Sequence, residues 1–141
     1  MVLFGIASKT SLIKKLTKFL NPIMKFLFPD INKNEKVHDE ISMNIVANIL
    51  GLGNAATPLG LKAMKSLQKI NNSKETLSNS MATLIVLNTA SLQIIPTTVI
   101  AIRTSLGSTN PTKIIIPVWI ATLAAAICAI TATKIFIKLG K

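Results

Sequence analysis

The chain has little of what soluble chemistry uses: of its 141 residues five are acidic, one is histidine, one is cysteine and none is tyrosine, and aromatics make up 4%. A single cysteine, Cys128, excludes an internal disulfide, and its place in an Ala-rich apolar stretch makes it a small packing residue rather than a nucleophile. His38, Asp39 and Glu40 are consecutive, a spacing that does not put three ligands on one side of a helix, so no metal site is expected there. No nucleophile is paired with a base, and the glycine-rich GLGNAATPLG lacks the Lys and Ser/Thr of a phosphate loop. An enzyme is therefore not expected, and no cofactor is implied. No early run combines a charged start, an apolar middle and a small-residue cleavage site, because Lys9, Lys14 and Lys15 follow Val2 to Ala7 almost at once.

What remains is apolar and basic. Half of the residues are hydrophobic, 15% are charged, the net charge is +11 and the mean hydropathy is +0.54. That composition belongs to the membrane class, as one domain. Two uncharged runs, Thr76 to Ile102 and Ile114 to Thr133, are long enough to cross a bilayer, which takes about 20 apolar residues. With so few aromatics and no nucleic-acid motif among the lysines, the basic charge points to anionic lipid headgroups rather than nucleic acid.

Residues 1–40 read as a helix remnant (Met1 to Ala7), a basic amphipathic helix (Ser8 to Phe28) and a solvated polar loop (Pro29 to Glu40) holding four of the five acids. In the amphipathic stretch Leu12, Leu16, Phe19, Leu20, Ile23, Met24 and Leu27 recur at helical spacing, with the lysines largely off that stripe. Asn21-Pro22 is expected to divide it. Its apolar face is expected to lie in the membrane interface with the lysines toward anionic headgroups, the alternative being a helix packed on the rest of the protein.

Residues 41–141 form the membrane domain, organised around MNIVANILGLGNAATPLGLKAM (Met43 to Met64). Two half-helices, Met43 to Leu50 and about Thr57 to Leu67, flank a break at Gly51-Leu52-Gly53-Asn54. Pro58 suits a first helical turn. Gly51 and Gly53 permit a turn or a close approach, Asn44 and Asn48 share one helix face, and Asn54 and Thr57 add polar groups beside the break. In lipid a break survives only where protein or a watery cavity satisfies its freed N–H and C=O groups. Facing half-helices are also how transporters build sites at membrane depth. The same glycines and asparagines equally suit close helix packing.

Downstream, Ser73 is the expected N-cap of a helix from about Lys74 to Arg103, bent by Pro96, with Thr89, Gln93 and Thr97 on one face and Asn88 nearby. This polar stripe points into a bundle or cavity, for bonding or for solute contact. A turn, Ser105 to Thr112, leads to a last helix, about Lys113 to Leu139. There Ala121, Ala125, Ala129 and Thr133 make a small face, and Trp119 marks an interface. If residues 41–68 enter and leave on one side, fourteen basic residues share a face against Arg103 and Lys113; if they span, the division is nine to seven. Cytoplasmic loops are Lys/Arg-rich, so the expectation is a re-entrant hairpin, two transmembrane helices and a cytoplasmic C-terminus, all α-helical.

The Met43–Met64 stretch, followed by ETLSNSMATLIVLNTASLQIIPTTVIAIR and preceded by LIKKLTKFLNPIMKFLFPDI, resembles the spore maturation protein A family of endospore-forming bacteria. That family belongs to a wider gate or nucleoside-recognition group shared with nucleoside transporters and ferrous iron transporters. The resemblance implies a multi-pass protein of the bacterial plasma membrane that acts in spore-core dehydration with spore maturation protein B; a homo-oligomer stays open beside it. It carries substrate-binding or gate roles onto Gly51, Gly53, Asn54, Thr57, Pro58 and Gly60, with Asn44, Asn48, Asn88 and Gln93 as polar neighbours. Family members begin with further apolar helices, so a truncated or internally started form is expected. A solute or ion pathway and a scaffold without transport both remain open.

Overall fold

The computed structural model describes residues 11–31, 35–91 and 93–139, with side chains from Lys18 onward and from Lys36 onward after the first gap. The expectations for Met1 to Ala7 and for the last two residues lie outside it. Among the described residues there are six α-helices, α1 (Ser11–Leu27), α2 (Glu35–Ile49), α3 (Gly53–Ile70), α4 (Asn79–Ala90), α5 (Thr97–Ser105) and α6 (Ile115–Leu139), with 3-10 turns at Pro29–Ile31 and Pro111–Ile114.

The core forms where helical stripes converge. Leu20, Met24 and Leu27 of α1, with Phe28 and Ile31, meet Val37, Ile41 and Val46 of α2, Ala63 and Leu67 of α3, and Met81 and Leu84 of α4. The packing of α1 resolves its two expected placements into two edges. Leu20, Met24 and Leu27 are buried in the core, whereas Phe19, Ile23 and Phe26 face outward. Pro22 does not divide α1, which runs unbroken through it; the buried residues on both sides of Pro22 hold the two turns in line although one backbone bond is absent.

The expected polar loop is largely helical. Val37 and Ile41, four apart, continue the apolar stripe of α2 backward from Met43, so α2 already includes Glu35; Asp39 is exposed beside that stripe, whereas Glu40 is buried on it. The helix expected from Lys74 starts instead at Asn79, capped by Ser78, whose Oγ accepts from the Met81 N–H at 3.3 Å. Residues between are drawn into a loop by Asn71, whose Nδ2 donates to the Ser73 and Thr76 carbonyls at 2.7 Å each.

Residues 79–105 are not one helix. Backbone helix stops at Ala90 and resumes at Thr97, so this run is two short helices, and Thr89, Gln93 and Thr97 share no common face. Pro96 has no N–H to donate and holds Ile95 out of the helical region, which together end any continuous ladder. By contrast the last run is a single helix. Pro111–Leu139 is the one stretch among the described residues long and apolar enough to cross a membrane, with mean hydropathy 2.4 and only 6% of its most apolar window buried. A core helix of a soluble protein would be covered; this one leaves Ile116, Ile120, Leu123, Ile127 and Phe136 bare. The small face is half used: Ala129 and Thr133 are partly covered while Ala121 and Ala125 are exposed. Ile130 packs against the core, and Ala126 is buried.

Candidate functional site

α2 and α3 pack side by side as an antiparallel hairpin with its tip at Gly51-Leu52. The tip is a Schellman cap. Leu52 N–H donates to the Ala47 carbonyl and Gly51 N–H to the Asn48 carbonyl, both at 2.9 Å, with Gly51 in the left-handed region at φ +68°. The second break also begins on a left-handed residue, Ser91 (φ 49°), whose N–H donates to the Leu87 carbonyl at 3.3 Å. It ends in a tight turn at buried Pro96 (φ −77°, ψ 66°), across which Thr97 N–H donates to the Ile95 carbonyl at 2.8 Å.

The two breaks meet. Ile94 N–H donates to the Ile49 carbonyl at 2.8 Å, and Thr97 Oγ1 donates to the Gly51 carbonyl at 2.8 Å. A Cβ on Gly51 would run into the Ile95 carbonyl oxygen, so glycine is required there twice, by its φ and by this approach. From the far side Trp119 Nε1 donates to the Ile94 carbonyl at 2.6 Å. Each break thus supplies the partners that the other lacks, which is the condition for irregular backbone away from water.

One turn from the crossing lies a cluster of three amides. Asn48 Nδ2 donates to Asn88 Oδ1 at 2.8 Å and to the Asn44 carbonyl at 3.1 Å. Asn88 Nδ2 donates to Asn44 Oδ1 at 2.9 Å and to the Leu84 carbonyl at 2.8 Å, and Asn44 Nδ2 donates to the Ala56 carbonyl at 2.8 Å. Asn44 is fully buried, whereas Asn48 and Asn88 are half-buried. Gly60 makes room for this cluster, because a Cβ there would come within 2.9 Å of Asn44 Nδ2. All amide hydrogens of Asn48 and Asn88 are used within the chain, while Asn48 Oδ1 accepts from no other group of the chain among the described residues. That oxygen is the acceptor left open.

Of the residues expected at the site, Asn44, Asn48, Gly51, Gly60 and Asn88 come together. Gly53, Asn54, Thr57 and Pro58 do not; they lie exposed on the first two turns of α3, which starts at Gly53 rather than near Thr57 and so holds Pro58 beyond its first turn. The side chain of Asn54 has no hydrogen bond to the chain among the described residues, and Thr57 returns to the Gly53 carbonyl at 3.3 Å. Gln93 lies in the second break and donates to Ser91 Oγ at 3.0 Å. Thr97, Ile94, Ile95 and Trp119 were not foreseen as site residues, although Pro96 signalled a bend at the place that gathers three of them. The buried carboxylate of Glu40 sits on the α2 stripe two turns before Asn48, 3.5 Å from Lys62 Nζ.

Fold and site together define a class, all-helical proteins built on crossed helix breaks, with one helix among the described residues long and apolar enough to cross a membrane. Similarity supplies the family: the model described as Gate, nucleoside recognition, matches residues 1–109, which include both breaks and all three asparagines of the cluster. The chain is also 41% identical over 134 residues to spore maturation protein A of Bacillus subtilis (strain 168), a match covering 95% of this chain and 68% of that protein. The chain belongs to the spore maturation protein A family within the nucleoside-recognition Gate group. No solved structure matches it.

Proposed function

We propose that this is a multi-pass plasma-membrane protein of spore maturation in which the crossed breaks form the gate of a path for a neutral or hydrated solute. The observation that carries the reading is the meeting of hairpin tip and second break. A re-entrant hairpin ending at mid-depth against a discontinuous span, α4 to α5, with α6 as the returning span, puts irregular backbone where a pathway needs it. Placement of α6 Lys134 at the α1 end, 3.1 Å from the Phe26 carbonyl and over its ring, supports lysine-bearing segments sharing one side, toward the cytoplasm and its anionic lipid. Spore maturation protein B, or a second copy of the chain, is the proposed partner.

A scaffold without transport is favoured by one specific observation: the amide hydrogens of Asn48 and Asn88 are already satisfied internally, as in a clasp. Flux of water and small solutes into liposomes holding the chain with its partner separates the two. Under the gate reading Asn88→Leu abolishes flux at matched insertion and Asn54→Leu, on the exposed turn, keeps it. Flux absent from wild type with the complex intact gives the scaffold reading. A C-terminal tag accessible from outside the cell would refute the topology.

A further inference from the structure

α1 has two apolar edges, and the protein covers one of them. At about 100° per residue, Leu20, Met24 and Leu27 lie within an arc of about 60° that the core buries, and Phe19, Ile23 and Phe26 fill the next arc of about 60°. That second edge is bare: Phe19 is 74% exposed, Ile23 47% and Phe26 68%. Lys18 and Lys25, seven residues apart and both exposed, stand on the side of the helix next to it with Asn21 between them, and α1 has no acidic residue to offset them.

A contact from the last helix fixes the height of this edge. Ile114 to Thr133 is an uncharged run about 30 Å long as helix, which matches the hydrocarbon thickness of a bilayer. Lys134 is the first charge past it, and its Nζ donates to the Phe26 carbonyl at 3.1 Å and stands 5.1 Å from the centre of the Phe26 ring. An ammonium at the end of such a run sits at the boundary of acyl chains and headgroups, and so does the Phe26 that it holds. A bare apolar edge at that height meets acyl chains, and lysines beside it meet phosphates. We propose that α1 is an interfacial anchor for anionic phospholipid. Phe19, Ile23 and Phe26 enter the upper acyl region of the leaflet at the C-terminal end of α6, and Lys18 and Lys25 hold its phosphates. With no acid on α1, the attraction favours lipids of net negative charge over zwitterionic ones. The inference rests on α6 crossing the bilayer, which resistance of the full chain to alkaline extraction from membranes tests separately.

The test moves the sole tryptophan to the bare edge, as Phe19→Trp with Trp119→Phe, in the full chain reconstituted into bilayers of equal parts phosphatidylglycerol and phosphatidylcholine. One lipid or the other carries bromine high on its acyl chain, and bromine quenches an indole that it touches. Quenching is expected from both, and more from brominated phosphatidylglycerol. Lys18→Gln and Lys25→Gln are each expected to lower that preference about fivefold. Ile23→Trp in the same background reads the same edge independently. Equal quenching by the two lipids, or a preference that both lysine variants keep, overturns the anionic assignment. Absence of quenching in a chain that resists alkaline extraction overturns the anchor: emission as in water then places the edge in solvent, and emission as in an apolar medium places it under another protein surface.

Discussion

Gly51→Ala is the sharpest perturbation of the crossing. A Cβ at φ +68° costs roughly 1–2 kcal/mol in left-handed backbone strain. It also meets the Ile95 carbonyl oxygen, a backbone atom that cannot rotate aside, so the second break must withdraw. Withdrawal weakens the Ile94–Ile49 and Thr97–Gly51 hydrogen bonds, at about 0.5–1.5 kcal/mol each. The total is about 2–5 kcal/mol, or roughly 6–15 °C of melting temperature for a chain of this size. Gly53→Ala is the control, because a Cβ there meets nothing within 4 Å and the position is already helical, so it is expected to be neutral or stabilising by about 0.4–1 kcal/mol. The assay is thermal unfolding of both variants in detergent, followed by emission of Trp119, the sole tryptophan, whose indole N–H bonds the second break. A Gly51→Ala protein as stable as wild type, with unshifted emission, would refute the crossing.

Further outcomes follow from the amide cluster and its surroundings. Gly60→Ala forces Asn44 Nδ2 away from the Ala56 carbonyl and is expected to cost about 1–3 kcal/mol, with much of that loss absent in an Asn44→Ser background in a double-mutant cycle. Asn88→Leu strands Asn44 Oδ1 and an Asn48 amide hydrogen and is expected to cost about 2–4 kcal/mol in unfolding, whereas Asn54→Leu stays within about 0.5 kcal/mol. Trp119→Phe keeps most of the packing and loses one N–H bond, so a drop of about 1 kcal/mol in stability is expected. Glu40→Gln is expected to leave stability unchanged or raised, because Oε2 is buried without a partner and Lys62, two-thirds exposed, compensates the charge weakly.

Composition and local pattern alone determined the membrane class, the long bare helix α6, and the break at Gly51, because bilayer length, charge scarcity and glycine's freedom are properties of consecutive residues. The α2 amides were legible for the same reason, since Asn44 and Asn48 share a face by spacing. Other features depended on contacts distant in sequence. The start of α2 at Glu35 came from the burial of Val37 and Ile41, and the start of α4 at Asn79 from the loop that Asn71 gathers. Most of all, Pro96 signalled only a bend. It became a full break because the tip of another hairpin, more than 40 residues earlier, supplies partners for Ile94 N–H and the Thr97 hydroxyl. Tertiary structure likewise separated Asn54 from Asn88, two residues of one chemical type. One lies on an exposed turn and the other is held between two helices, and only the position of the second break relative to the first decides which of them reaches the site.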